Sequence, residues 1–488
     1  MTNQIWSPSK ACADFVADLQ YADIPAAVID TMKRDTLDWI GCAVGGAADR
    51  SSQPIKVVAD VLGGNSQATS IDCGRRNVVL AAMSNAYFGH ILEMDDVDRD
   101  SISHPATPNL AAAFAAAEFA GKQGKDVLLA AVCGFEIMLR IGAAITPAHY
   151  KIFHTTATTG VFGAAMAAGK LLDLDAIQLN WALGNAGTMS AGLWQFLPDG
   201  GMSKFLHTGA AAGNGILVAM LAKNGFSGAT HILEGKQGFF AGYARQEVCY
   251  DLFKDFGEKW RAGLISFKPY PCCRHTHSAI DAALDIRRQA AGRGLKTIRL
   301  LTYTTANTVA GTRSPATGRQ AKFSLAYCVA STLLRGVPTE TSFSDQSVNE
   351  ADVKALEHRI EVVEDTEINA CVPRNWPCRI EAVTDDGQEL HAQIWNPTGD
   401  PENTLSWDGV ALKFQAMTDG IIPANVQDEI IELCKHFDDL DKPSLIFESG
   451  RERVCTSLPP TPPDVPFGIR RFLKLGCGFS GQAFDKRL

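Results

Sequence analysis

Apolar residues recur at helical spacing through the first half of the chain. Ala11, Phe15, Val16 and Leu19 lie on one helical face, and long Ala- and Gly-rich segments repeat the pattern further on. We count no convincing strand before residue 260, so this half is predicted to be an all-α domain. The predicted helices cover residues 9–20, 25–45, 77–92, 109–122, 126–145, 160–172, 176–183 and 208–221.

The pattern changes near Phe267, after which short β-rich segments alternate with helical ones. Asp385-Asp386-Gly387 separates two of the β-rich segments and is typical of a hairpin turn. This part is therefore predicted to be a small α+β domain. Its predicted strands are 297–305, 359–363, 378–383 and 390–395, with helices at 277–291 and 323–335.

Helical spacing returns at residues 405–417 and 424–437. A chain of 488 residues exceeds what one hydrophobic core usually supports, so we expect about two domains. The predicted fold class is mostly α: a large helical domain built from both ends of the chain, with a smaller α+β domain inserted. The predicted boundaries are 1–265 and 401–455 for the helical domain, 266–400 for the insert, and 456–488 for a Pro-rich extended tail.

Charge and composition exclude some binding partners and indicate where the protein is located. The net charge of −9 argues against nucleic acid, which needs a basic face. The apolar segment Val127–Ile145 contains Glu136 and Arg140, so no membrane span is expected. The N-terminus resembles no targeting sequence and the 13 cysteines are scattered, which favours reduced thiols in the cytoplasm. The final Lys-Arg-Leu only faintly resembles a peroxisomal signal.

Two segments before residue 161 combine ionisable residues with turns. Glu93-Met-Asp-Asp96 leads through further carboxylates to His104, and crowded carboxylates can orient a histidine. His154 precedes a hydroxyl-rich helix start, where free N–H groups can hold an anion. A solvated acidic loop and a threonine helix cap explain the same two patterns.

Two later segments are basic. Lys204 and His207 stand three residues apart where a small-residue helix begins, so their side chains share a face if the helix has started there. The second segment, 267–277, presents Lys268, Arg274 and two histidines around a pair of prolines. Such cations suit an anionic substrate. A solvated lysine beside a capping histidine, and an exposed basic turn, are the alternatives.

A zinc site at Cys272, Cys273, His275 and His277 is disfavoured. Adjacent cysteines seldom bind one ion, and no second cysteine pair stands at ligand spacing. The sequence also lacks a phosphate-binding P-loop, a dinucleotide-binding glycine motif and the HExxH metal motif. We therefore expect neither a metal nor another cofactor.

Five motifs in one order resemble the MmgE/PrpD family, whose members include 2-methylcitrate dehydratases, cis-aconitate decarboxylases and an iminodisuccinate epimerase. The resemblance covers about residues 10–440 and implies a helical domain, a lid domain, a homodimer and a metal-free active site between the domains. The motifs are Glu-Met-Asp-Asp…Ser-His-Pro, Phe-His-Thr-Thr…Gly-Val-Phe-Gly-Ala-Ala, Met-Ser-Lys-Phe-Leu-His-Thr-Gly, Lys-Pro-Tyr-Pro-Cys-Cys-Arg-His-Thr-His and Ala-Lys-Phe-Ser-Leu-Ala-Tyr.

The resemblance assigns residues to roles. It implies catalytic positions at His104, His154, Lys204, Lys268 and Tyr327. Substrate-binding candidates are Glu93, Asp96, His207, Arg274, His275 and His277. One departure is Cys273, which stands where animal-type decarboxylases of the family carry a histidine; fungal decarboxylases carry cysteine there.

The expected function is that of a lyase acting on a di- or tricarboxylate. A hydro-lyase acting on a 2-methylcitrate-like acid is the first expectation, with Tyr327 donating to the leaving hydroxyl. Decarboxylation of a cis-aconitate-like acid, epimerisation and a silent homologue are the alternatives. If His104 and His154 exchange protons with one substrate, they should lie within about 10 Å. We expect His104 to be cationic beside its carboxylates and His154 to be neutral.

Overall fold

The computed structural model describes residues 6–72 and 74–448, and its first half is helical as predicted. Local signals set the helix ends: for example, the Asn77 side chain accepts a hydrogen bond from the Leu80 backbone N–H. The helices are α1 Pro8–Asp18, α2 Ala26–Ala48, α3 Gln53–Leu62, α4 Val78–Gly89, α5 Ala106–Ala120, α6 Gly124–Ile145, α7 Thr155–Leu171, α8 Ala176–Thr188, α9 Phe196–Asp199, α10 Ser203–Lys223 and α11 Phe239–Tyr243.

Small residues allow these helices to pack closely. A Cβ atom added to Gly134 of α6 would lie 2.9 Å from the Gly163 carbonyl oxygen of α7, and one added to Gly163 would lie 2.7 Å from the Gly134 oxygen. Real Cβ contacts are longer than this, so the two backbones touch only because both residues are glycine. The close packing fixes the position of α7 and of His154 in front of it.

The prediction of no strand before residue 260 was wrong in one place. A two-stranded antiparallel sheet pairs β1 Ala68–Thr69 with β2 Arg75–Arg76. Each strand has only two residues, which is too short for a period-two alternation to show in the sequence. This sheet packs beside α4 and α5 and leaves the domain essentially helical.

The insert contains a four-stranded sheet in the order β4–β3–β5–β6. Strands β3 and β4 are parallel, and the predicted hairpin at Asp385-Asp386-Gly387 joins the antiparallel pair β5 and β6, with Gly387 at φ +87°. The elements are α12 His277–Ala290, β3 Leu295–Thr302, α13 Thr304–Val309, α14 Gly318–Ala321, α15 Leu325–Arg335, α16 Asp345–Val348, α17 Ala351–Glu357, β4 Ile360–Glu364, α18 Thr366–Asn369, β5 Cys378–Thr384 and β6 Glu389–Ile394.

The chain then returns to the helical domain through α19 Trp407–Thr418, α20 Ala424–Lys435 and α21 Leu445–Glu448. Helix α19 packs on α2, where Phe414 lies against Gly41. Residues from both ends of the chain share one hydrophobic core, and the insert has its own. The predicted fold class, mostly helical with an inserted α+β domain, is confirmed. The predicted tail, 456–488, lies outside the described residues.

Two helices, α6 and α10, are long and apolar enough to cross a membrane by length and composition alone. Helix α6 is packed inside the protein, and its Arg140 donates a hydrogen bond to Glu136 at 3.0 Å. Helix α10 is mostly covered as well, by α4, α7 and α8. Both therefore have the surroundings of core helices.

Candidate active site

The loop after α4 brings the predicted acidic residues into the interior. Glu93 lies in the left-handed region with φ +61°, which is uncommon for a residue with a side chain. Its carboxylate accepts from the Lys204 ammonium group at 2.5 Å, and both side chains are buried. Helix α10 begins at Ser203, so Lys204 stands in its first turn, as the sequence analysis allowed.

Lys268 reaches the same loop from the start of the insert. Its Nζ lies 3.3 Å from Asp95 Oδ1 and 3.9 Å from Glu93 Oε2, and the side chain is fully buried. Burial would lower the pKa of Lys268, but Asp95 and Glu93 outweigh it and raise the pKa. The group is therefore an ammonium ion. Within the described part of the chain, its Nζ makes no hydrogen bond, which leaves it available to an anionic ligand.

Three histidines meet beside these charges. The rings of His104 and His154 lie 6.3 Å apart between centroids, within the predicted 10 Å. His90 stands between them, 4.9 Å from His104 and 5.5 Å from His154. They come from three helix ends: His90 follows α4, His104 precedes α5, and His154 precedes α7.

The hydrogen bonds of His90 and His104 fix their tautomers. His90 Nδ1 lies 2.5 Å from Asp95 Oδ2, and His104 Nδ1 lies 2.6 Å from the Asp96 carbonyl oxygen. Each acceptor holds a proton on Nδ1, so in the neutral ring Nε2 is a proton acceptor. In the described residues, Nε2 of His90 and of His154 has no hydrogen-bond partner although it is buried.

The expected contrast in protonation was wrong for His104. Burial lowers its pKa well below the usual value and outweighs the attraction of Asp95, while Lys268 and His90 lower the pKa further. Burial also lowers the pKa of His154, with His90 and His207 adding to the effect. Both imidazoles are therefore neutral. Asp95 Oδ2 lies 3.4 Å from His104 Nδ1, but Asp95 also faces Lys268, and Glu93 pairs with Lys204.

His207 lies behind His154. Its Nδ1 is 3.2 Å from His154 Nδ1, so one ring donates and the other accepts. Burial lowers the pKa of His207 to about 4, and nearby His90 and Lys204 act in the same direction. Trp194 packs on the other side of His154, with ring centroids 4.9 Å apart. His207 thus orients His154, and in the described structure it makes no hydrogen bond to Lys204.

His90 is the residue that sequence reasoning missed. It follows Gly89 at the end of an apolar helix and gives no turn or charge signal of its own. The one available clue was its position three residues before Glu93, on the same short connection as the acidic loop. Its ring is fully buried and links Asp95 to the other histidines.

Several predicted substrate-binding residues are bonded within the protein. The Arg274 guanidinium pairs with Asp400 and donates to His277 Nδ1 at 2.9 Å, so both of its terminal nitrogens are used within the protein. His277 Nε2 faces the Cys272 carbonyl at 3.3 Å. The Asp96 carboxylate accepts from the Ala106 N–H at 3.1 Å and therefore holds the start of α5.

Tyr327 and His275 form no hydrogen bond with the three clustered histidines in the described structure. The Tyr327 hydroxyl donates to the Ser342 carbonyl inside the insert, so it is committed to a structural bond. His275 Nδ1 lies 2.7 Å from the Tyr303 hydroxyl, and its ring stacks on Trp376 with centroids 4.4 Å apart. Among described residues His275 Nε2 has no partner, and burial lowers the pKa of His275 to about 3. His275 Nε2 is therefore available to a ligand, whereas the hydroxyl proton of Tyr327 is already used in a hydrogen bond.

The histidine cluster also has donors suited to a metal ion. One nitrogen from each of His90, His104 and His154 can be chosen so that all lie within 4.8 Å of one another. Three imidazoles are the ligand set of some catalytic zinc sites. Two ammonium groups, Lys204 and Lys268, lie near the cluster and oppose the binding of a cation, and the nearby carboxylates of Glu93 and Asp95 are already paired with them. The predicted cysteine–histidine turn is bonded internally, with Cys272 Sγ 3.1 Å from Thr276 Oγ1.

A pocket of about 540 Å³ opens between the helical domain and the insert. Glu93 and Lys204 line it, whereas Lys268 and the three histidines do not; Lys268 Nζ lies 3.9 Å from Glu93 Oε2. The walls are partly apolar and include Phe196, Phe205 and Phe323. Its size is that of a small-molecule site. A ligand in this pocket would contact the Glu93–Lys204 ion pair.

Comparison with known proteins agrees with this architecture. The chain is 27% identical over 474 residues to the cis-aconitate decarboxylase of Aspergillus terreus, covering 90% of this chain and 95% of that protein. It is 26% identical over 493 residues to the human cis-aconitate decarboxylase, covering 94% and 96%. The "cis-aconitate decarboxylase-like protein oryM" of Aspergillus oryzae is 27% identical, with coverage of 84% and 90%.

Two family models match in the order of the chain. The MmgE/PrpD N-terminal domain covers residues 10–249, and the MmgE/PrpD C-terminal domain covers residues 270–439. The first spans the helices that carry the histidines and Lys204, and the second begins just after Lys268. The chain therefore belongs to the MmgE/PrpD family.

Proposed function

We propose that the protein is a lyase that removes CO₂ from a cis-aconitate-like tricarboxylate. The observation that carries the proposal is the meeting of two ammonium groups, Lys204 and Lys268, with neutral imidazoles in one buried place. The names of the similar proteins favour decarboxylation within the lyase class. The cations suit the carboxylates of such an acid, and the imidazoles suit proton transfer.

The chemistry requires charge stabilisation. The bond between a substrate carbon and its carboxylate breaks, CO₂ leaves, and the electron pair remains on the carbon, delocalised toward a neighbouring carboxylate. Lys268, which lacks a hydrogen bond to the rest of the described structure, would stabilise that charge. Lys204 would hold a carboxylate once Glu93 has moved from it.

A proton must then be added to the carbon. His154 would donate it from Nε2 while its Nδ1 takes the proton that His207 donates, so the His154 ring stays neutral, and the partly buried His207 then recovers a proton from solvent. His104, whose Nδ1 proton is held by the Asp96 carbonyl, is the alternative donor, since its Nε2 can take up a proton from solvent and pass it to the carbon. Because their pKa values are lowered, either ring would be a strong acid once protonated and would release the proton readily to the carbanion.

Dehydration of a methylcitrate-like acid remains the second candidate. It needs a donor for the leaving hydroxyl, and Tyr327, which we expected to supply it, is bonded to Ser342. Decarboxylation needs no such donor. His104 or His154 could protonate the hydroxyl, so hydro-lyase activity stays a prediction to be tested beside the first.

The deciding experiment incubates the purified chain with cis-aconitate and, separately, with 2-methylcitrate. CO₂ release from cis-aconitate supports the proposal, while formation of alkene absorbance from methylcitrate supports the hydro-lyase reading. His104→Gln and His154→Gln should each lower the rate by about 10²–10⁴-fold with unchanged circular dichroism. Inactivity on both acids would contradict both readings and favour an epimerase or a silent homologue.

We propose further that the protein is a homodimer joined through an apolar surface of the helical domain. Leu206, Leu217 and Leu221 are exposed along one face of α10, at helical spacing. Helix α3 packs against α4 and also exposes apolar side chains, among them Val58. A second copy would cover this surface.

Light scattering should give a dimer, and Leu206→Glu with Leu217→Glu should give a monomer; a monomeric wild type refutes the assignment. The cytoplasm remains the predicted location.

A further inference from the structure

Four carboxylates and four cations line the pocket, but among the described residues only two of the cations are paired with a carboxylate. Each acidic residue of its lining is bonded nearby: Glu93 to Lys204, Glu340 to Lys322 at 2.9 Å, Asp49 to the Ser51 N–H at 2.7 Å, and Asp345 to the Gly318 N–H at 2.9 Å. Both lysines of the lining are therefore paired. Two further cations line the same pocket, and within the described chain no carboxylate pairs with either of them. They are Arg50 and Arg319.

Contacts place the two arginines at the outer end of the pocket, on different domains. The Arg319 guanidinium lies 5.7 Å from the centre of the Phe205 ring, next in sequence to Lys204. Phe205 packs on Tyr87 at 5.7 Å, and the Tyr87 hydroxyl donates to the Ser51 carbonyl at 3.1 Å. Ser51 adjoins Arg50, so Phe205 and Tyr87 connect the two arginine positions. Both arginines are exposed, whereas Lys204 is buried at the inner end.

We infer that Arg50 and Arg319 form a carboxylate-binding subsite at the outer end of the pocket, which captures a polycarboxylate on its way to Lys204. Guanidinium groups bind carboxylates through paired N–H donors, and two of them beside one pocket favour ligands that carry more than one negative charge. The inference rests on the proposed function only for the identity of the acid. The subsite itself requires only an anionic ligand.

Because the two arginines belong to different domains, an anion bound to both would connect the domains. Arg50 belongs to the helical domain and Arg319 to the insert, and two like charges lining one pocket repel each other. A carboxylate between them replaces that repulsion by two attractions. The bound anion thus links the insert to the helical domain. A monocarboxylate held at Lys204 could not reach both ends and should bind more weakly.

The test compares Arg50→Gln, Arg319→Gln and the double variant with Arg374→Gln, which removes an exposed charge of the insert outside the pocket. With cis-aconitate, each pocket variant should raise KM by about 3- to 10-fold and leave kcat unchanged, because the subsite acts on capture. Added salt should raise KM of the wild type more than KM of the double variant. Arg374→Gln should behave as the wild type. Equal KM values in the wild type and the double variant would overturn the subsite.

A second measurement separates this inference from the proposed reaction. If the wild type turns over none of the acids tried, citrate is titrated by calorimetry into the wild type, the double variant and Arg374→Gln. Loss of citrate affinity in the double variant alone supports the subsite although the proposed reaction has failed. The same affinity in all three proteins refutes the subsite.

Discussion

Replacement of Lys204 by methionine removes the ammonium group that neutralises Glu93 while keeping most of the side-chain volume. Burial would raise the pKa of Glu93, but Lys204 and then Lys268 lower it from 4.5 to about 2. That difference corresponds to about 3 kcal/mol of folding stability at neutral pH. Breaking a buried ion pair by removing one partner typically costs about 3–5 kcal/mol. We therefore expect Lys204→Met to lower the free energy of unfolding by about 3 kcal/mol.

The pH dependence should change sign with the substitution. In the wild type the pKa of Glu93 is lower in the folded state, so its contribution is complete above about pH 4.5 and is lost as pH falls toward 2. In the variant, burial acts without the main opposing cation, since Lys268 is 3.9 Å away. The folded-state pKa then rises above the unfolded value. Its stabilising contribution is therefore present in acid and is lost as pH increases.

Urea unfolding of the wild type, Lys204→Met, Glu93→Gln and the double variant measures the effect, with circular dichroism as the signal. The double-mutant cycle should give a coupling free energy of at least about 2 kcal/mol, and Glu93→Gln should rescue part of the stability of Lys204→Met. A coupling below about 0.5 kcal/mol would show that the pair does not stabilise the loop. It would also refute the reasoning that assigns the low pKa of Glu93 to Lys204.

Three further predictions concern neighbouring groups. Lys268→Ala should reduce the rate by about 10²–10³-fold through lost charge stabilisation, and wild-type kinetics would exclude Lys268 from the chemistry. Chelators should leave activity intact, because ammonium groups beside the histidines repel a cation; stoichiometric zinc whose removal abolishes activity would reverse this view. Lys413→Met should destabilise the fold by about 3–5 kcal/mol in urea, because it leaves buried Asp38 without its cation, and Asp38→Asn should recover part of the loss.

Local pattern predicted the elements well. Most helices, the four strands of the insert and the hairpin at Gly387 follow from apolar spacing and turn chemistry, which depend on neighbours in sequence. The start of α7 was placed at Gly160 although the helix begins at Thr155, because threonines are poor helix formers and resemble a cap. Buried packing around Thr155 outweighs that local preference.

The roles of the polar residues were harder to predict, because they depend on partners far away in sequence. Arg274 looks like a substrate clamp until Asp400 is seen beside it, 126 positions later. His104 looks cationic next to its carboxylates until burial by other segments makes it neutral. The local sequence around His90 does not distinguish it from a core residue, because it stands at the end of an apolar helix. The motifs identified the region of the site, but the tertiary contacts determine what each side chain bonds to.

The contact between Lys413 and the acidic loop limits when this loop can reach its final structure during synthesis. The Lys413 ammonium group donates to the Met94 carbonyl at 2.6 Å and pairs with Asp38 at 2.5 Å. Synthesis runs from the N-terminus, so residues 93–96 leave the ribosome long before α19 exists. Until then, Asp38 has no cation and the loop lacks one of its supports. A chain released before residue 413 should therefore lack this support for its acidic loop.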